Sequence, residues 1–131
     1  MFKLAALLSL VILFGCKSPT DCSKFKNGTF TYQSANTDRM IVVERNDTIQ
    51  FERNLVSGSV AKCRVKWVSP CEYDLVLISA SGFTPKGQLF LTANTNHVTI
   101  TEVGDDYYKA HSVIKGDGKT EEHDYLVKVV K

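Results

Sequence analysis

The sequence predicts an all-β fold, an antiparallel meander that closes into a small barrel or a strongly curled sheet. Three observations carry this. From Gly28 onward, β-branched and aromatic residues come in short runs cut by Asn, Asp, Gly and Ser clusters. No window sustains a 3.6-residue period for three turns, so no long amphipathic helix is expected. The chain has 131 residues and a formal net charge of +2, enough for one core and too little for two.

The first element is an apolar run. Leu4 to Phe14 is eleven residues long with Lys3 ahead of it, whereas a membrane-spanning helix needs about 20. The run ends in Leu13-Phe14-Gly15-Cys16, a small residue before a single cysteine. It therefore resembles a bacterial lipoprotein signal closing in a lipobox. The resemblance implies cleavage between Gly15 and Cys16, removal of residues 1–15 as a signal peptide, and lipidation of Cys16 as the membrane anchor. Residues 16–21 would form a tether and 22–131 a single β domain. Six steps from Cys16 to Cys22 reach at most roughly 20 Å, which would hold the domain near the bilayer with Lys24 and Lys26 facing headgroups or solvent. Loss of Lys3 leaves 15 basic and 14 acidic residues, without the clustered basic face that nucleic acid requires. The expected address is the cell envelope. Lys17 is not the Asp that retains lipoproteins at the inner membrane in other bacteria, so the outer membrane is expected, on either face.

Nine strands follow, near Thr29–Gln33, Arg39–Arg45, Thr48–Asn54, Val60–Val68, Glu72–Ser79, Gln88–Ala93, His97–Val103, Tyr107–Lys115 and Glu122–Val130. Arg45-Asn46-Asp47-Thr48 is a hairpin signal, because Asn and Asp tolerate the positive φ of a two-residue turn. Pairing Arg45 with Thr48 sets Val42 against Phe51, and both are expected on the core face. In the next hairpin, Ala61, Cys63, Val65 and Trp67 share one face, as do Tyr73, Leu75 and Leu77. A two-residue Ser69-Pro70 turn would oppose Trp67 to Glu72, a mismatch of faces. An odd-length loop around Pro70 pairs Trp67 with Tyr73, Val65 with Leu75 and Lys66 with Asp74, and places this hairpin at the centre of the core.

That register constrains the cysteines. It sets Cys63 opposite Leu77, roughly 20 Å along the ladder from Cys71, while bridged Cα atoms lie within about 7 Å. Cys22 is left to pair with Cys71 or Cys63. Cys71 lies in a loop and Cys63 mid-strand on the apolar face, where a free cysteine behaves as a small hydrophobe. A Cys22–Cys71 disulfide is therefore expected, in an envelope compartment that permits oxidation.

Between strands, Ala80 to Gly87 reads as a loop, and its Phe83 is expected to cap one end of the barrel. Chemistry-bearing signatures are few. There is no Gly-x-Ser-x-Gly elbow, His-Glu-x-x-His, phosphate-cradling Gly-rich loop or Cys-x-x-Cys. His97, His111 and His123 have neither the spacing nor the faces of a metal site, so neither a metal nor another cofactor is expected. Asp105 with Asp106 and Glu121 with Glu122 are neighbours that point apart on a strand, the wrong arrangement for acid/base catalysis. A non-enzymatic protein is expected.

Asp21-Cys22-Ser23-Lys24-Phe25-Lys26-Asn27-Gly28-Thr29-Phe30, Arg45-Asn46-Asp47-Thr48-Ile49-Gln50 and Val65 through Leu75 together resemble a family of small Bacteroidota lipoproteins. Its members share a Cys before a Lys-Phe-x-x-Gly strand, an Arg-Asn-Asp turn and a Trp-x-x-x-Cys-x-Tyr hairpin. The family brings no established activity, and the label DNA topoisomerase IV sometimes given to members is contradicted here by a short, exported, nearly neutral chain. The resemblance implies pairing of Cys22 with Cys71. The expected function is a lipid-anchored binding or structural module of the envelope, with an envelope protein or an apolar ligand as partner. The alternatives are a lipocalin-like carrier of an apolar small molecule, its inward faces lining a cavity, or an inhibitor of host lysozyme or protease presenting the Ala80 to Gly87 loop.

Overall fold

Residues 19–33, 40–86 and 92–131 are described by the computed structural model; the lipobox, Cys16 and most of the tether lie outside them. The chain enters through one turn of 3-10 helix, Ser23–Phe25, started by Asp21 Oδ1 accepting from the Ser23 N–H at 3.0 Å. Gly28 then turns the backbone into the first strand at a φ of 142°, which L side chains rarely adopt, and a Cβ there would sit 3.3 Å from the Phe30 ring. Eight strands follow among the described residues: β1 Gly28–Gln33, β2 Met40–Arg45, β3 Ile49–Asn54, β4 Val60–Ser69, β5 Glu72–Ser81, β6 Asn96–Val103, β7 Tyr107–Gly116 and β8 Lys119–Val129. All pair antiparallel with their neighbours in sequence, and β8 returns to β1 through Phe30↔Val129, Thr31↔Lys128 and Tyr32↔Val127. The expected meander is thus a closed eight-stranded ring.

The ring is uneven. β4 and β5 pair along their whole length, but β5 meets β6 only over Glu72–Leu75. The second half of β5 has no partner on its other side among the described residues, and Val76 and Ile78 are exposed there. Bulges at Val68, Ile78 and Thr101, each an extra residue against its partner strand, add the local twist that helps a small sheet close.

The Val60–Ser81 hairpin has the expected register: Trp67↔Tyr73, Lys66↔Asp74, Val65↔Leu75 and Cys63↔Leu77. The odd loop demanded by the faces is realised as a Pro70-Cys71 turn plus the bulge at Val68. Cys22 and Cys71 are joined, with Cα atoms 5.2 Å apart, and Cys63 is a buried free thiol.

Two expectations are corrected. The β2–β3 turn falls one residue later than expected, at Asp47-Thr48. The Asn46 carboxamide oxygen accepts from the N–H groups of Thr48 and Ile49, and Arg45 faces Gln50. Val42 and Phe51 do share a face, but it is the outer one: Phe51 is 40% exposed, while Val43, Arg45 and Gln50 are buried. Alternation alone did not say which face was inside, because the inner face of β3 is polar. The second correction concerns the ninth strand. Thr92 and Ala93 are helical, as are Pro85 and Lys86; the rest of the expected Gln88–Ala93 strand lies outside the described residues. Thr84 followed by Pro85 is a helix-start pattern, a capping residue before a proline at the first helical position.

Candidate functional site

Strand direction gives the barrel two unlike ends. At one, the Asn46–Thr48, Pro70-Cys71 and Gly104–Asp106 links meet the Ser23–Phe25 turn, which the disulfide pins in place. Phe25 plugs this end, 4.8 Å from the Tyr108 ring and 6.4 Å from the Phe30 ring, with all three side chains fully buried. Lys24 donates to the Gly104 carbonyl at 2.7 Å, and Lys26 lies over the Trp67 ring. The other end carries the Leu55–Ser59 link, Gly82 to Thr84 and the Asp117-Gly118 turn. Between them lies a cavity of about 600 Å³ that reaches from this second end down to Arg45, Tyr73 and Tyr108. Phe83 packs against the core at the mouth, as a capping side chain would.

Arg45 forms the floor. It ends β2 on the same face as Ile41 and Val43, so the alternation that buries those apolar side chains also buries the guanidinium, which is 6% exposed with its residue. Its Nε donates to Gln50 Oε1 at 2.7 Å, Nη1 to the Phe25 carbonyl at 3.0 Å, and Nη2 to the hydroxyls of Tyr73 and Tyr108, each at 3.0 Å. The rings of Tyr73 and Phe30 lie 4.6 and 5.1 Å from Cζ. Burial works against the charge, but Tyr73, Tyr108 and Glu52 outweigh it and hold the guanidinium above its ordinary range. Arg45 is a fixed cation whose contacts are all neutral.

The nearest carboxylate belongs to the next polar residue up the wall. Gln50 Nε2 donates to Glu52 Oε1 at 2.7 Å, and the Tyr32 hydroxyl reaches Glu52 Oε2 at 3.5 Å. Gln50 thus bridges cation and anion without letting them touch. Burial raises the Glu52 carboxyl above its ordinary value, with Gln50, Arg45 and Tyr32 only partly opposing it. Burial also raises the Tyr32, Tyr73 and Tyr125 hydroxyls, so these remain protonated donors. On the opposite wall Asn96 Oδ1 is buried without a hydrogen bond, and buried Ser112, whose hydroxyl interacts with that of Tyr125, lines the cavity beside it. Val43, Leu75, Val98, Ala110, Ile114 and Val127 supply the apolar surface between. The chamber is amphipathic: a cationic floor, a polar stripe along β3, and an apolar wall.

The sequence-expected residues fall around this chamber more than within it. Tyr73 reaches the floor and Leu75 the wall, whereas Trp67 sits half-buried toward the plugged end, 4.8 Å from Tyr73. His97 pairs with Asp74 at 2.7 Å and His111 with Asp124 at 2.8 Å, while His123 lies at the mouth beside Glu121. Among the described residues, no group of three or more His, Cys, Asp or Glu side chains is placed to hold a metal ion. Nor is any described helix long and apolar enough to cross a membrane. Arg45, Gln50, Glu52, Ser112 and Asn96 were not legible as site residues. The available signal was the polar alternation Gln50, Glu52, Asn54 in line with Arg45, which reads equally well as a solvated outer face.

No family model matches this chain, and no curated protein matches it in sequence. The geometry of the chamber therefore carries the functional argument.

Proposed function

We infer that this chain is a lipid-tethered envelope protein whose barrel is a non-enzymatic binding module for a small amphipathic molecule. The observation that supports it is the cavity of about 600 Å³ lined from Arg45, Tyr73 and Tyr108 to Phe83 and Thr84, within the 300–1,000 Å³ usual for small-molecule sites. A barrel of this strand number can fill its interior with its own side chains. Here the inner face of β3 instead carries Gln50, Glu52 and Asn54, and a buried polar atom opposite them, Asn96 Oδ1, has no hydrogen-bond partner among the described residues. An orphaned buried hydroxyl or carbonyl costs about 1–3 kcal/mol, which a ligand or water with complementary groups offsets.

The anchor fits this reading. Cys22 is fixed at the plugged end, so a lipidated Cys16 within roughly 20 Å of it would set that end toward the bilayer and the mouth toward the aqueous phase. The module would then collect or hold its ligand from solution. A purely apolar cargo suits the chamber less well than an amphipathic one, because the floor and one wall are polar. The inhibitor reading gains no support, since Phe83 packs into the mouth and is not presented outward.

Organic extraction of the intact protein purified from envelopes tests this. Recovery of one amphipathic compound in near-stoichiometric amount is expected. Repeated extraction of nothing above the level of a control lipoprotein would refute it.

A further inference from the structure

Arg45 has five N–H donors, and four are engaged, all by neutral acceptors. The fifth, on Nη1, is uncommitted. The Tyr73 and Tyr108 hydroxyls each accept from Nη2 and lie 3.4 Å apart, so only one can donate to the other. At least one phenolic proton is therefore left over beside the spare N–H. A buried cation with no touching counter-charge is costly, and this one lines the cavity with unused donors.

We propose that the cavity floor is a carboxylate site, in which Arg45 and the hydroxyls of Tyr73 and Tyr108 receive the head of a long-chain monoanionic amphiphile. This rests on the inference that the barrel is a binding module and names its ligand class. The apolar body of the ligand lies along Val43, Leu75, Val98 and Ala110, and its far end reaches the mouth near Phe83. A single fixed cation and two spare donors suit a planar head with one charge better than a doubly charged phosphate. Gln50 separates the head from Glu52, whose carboxyl is held above its ordinary value by burial. Charge-assisted hydrogen bonds of this kind are about twice as strong as neutral ones, so discrimination between an acid and its ester is the signature.

The test uses the full chain with cis-parinaric acid and its methyl ester as probes, read by energy transfer from Trp67, the only tryptophan and a neighbour of the floor. The acid is expected to bind at least about tenfold more tightly than the ester. Arg45→Met is expected to abolish that preference by weakening the acid alone. Should that variant fail to fold, Tyr73→Phe with Tyr108→Phe removes only the hydroxyls and is expected to weaken the acid severalfold while sparing the ester. Equal affinities of acid and ester, or equal losses of both in the variants, would overturn the carboxylate site and leave the binding module standing. Binding of neither probe by the wild-type chain would overturn both.

Discussion

At the scale of the residue, the informative feature is a charge placed where alternation predicts an apolar side chain. Arg45 follows Ile41 and Val43 inward, and its burial is made tolerable by four hydrogen bonds and two aromatic faces. Glu52 is the residue whose protonation this arrangement exposes to measurement. Its folded carboxyl is raised from 4.5, chiefly by burial. A raised carboxyl contributes stability that is present below the unfolded value and is lost as pH climbs through the folded one. The titratable groups that interact with it are Tyr32 from β1, Arg45 from β2, Cys63 from β4, Tyr73 from β5 and Tyr125 from β8. Wild-type unfolding free energy should therefore fall relative to Glu52→Gln as pH rises from about 4.5. The slope is at most about 1.4 kcal/mol per pH unit for one proton. Denaturant titrations across that range check this; a difference that is flat, or grows toward low pH, would contradict it. None of this was legible in the sequence, where Gln50, Glu52 and Asn54 have the appearance of a solvated face and their partners lie on other strands.

At the scale of the element, the hairpin Val60–Ser81 was legible and the hairpin before it was only half so. In the former, both strands alternate between apolar and charged residues, so parity fixed the register, and the register excluded Cys63 from bridging to Cys71. In the latter, both faces of β2 are apolar enough to be inside, and the turn slid by one residue because Asn46 caps the turn and leaves Asp47-Thr48 at its centre. The disulfide ties the entering 3-10 turn to the Pro70-Cys71 link across 49 residues, a constraint worth about 4 kcal/mol in the chain-entropy model. Cys22→Ala with Cys71→Ala should lower the unfolding free energy by about that amount and expose the amides of Phe25 and Lys26 to exchange; unchanged stability would count against the role given to the bridge. Cys63 gives an independent reading, since burial pushes its thiol up to about 12. Apart from Cys16, the proposed lipid attachment point, thiol reagents should find no reactive cysteine in the native, unreduced protein and one, Cys63, after denaturation.

At the scale of the whole molecule, β propensity and turn punctuation were sufficient to read an antiparallel meander, and they could not say whether its interior was packed. That depends on the summed volume of inward side chains against the space eight strands enclose, which no local window contains. The strand expected at Gln88–Ala93 fails at its described end, where Thr92 and Ala93 are helical, and Thr84-Pro85 signals a helix start before it. Among the described residues, with eight strands, one end plugged by Phe25 and the polar face of β3 turned inward, the interior holds an open cavity. Ala110, buried on the apolar wall and lining the cavity, offers the most direct test of that claim. Native mass spectrometry of the envelope-extracted protein should show one bound small molecule on the wild-type chain and none on a folded Ala110→Phe chain, whose added ring fills the chamber. Retention of the same molecule by Ala110→Phe would place it outside the barrel and contradict the account.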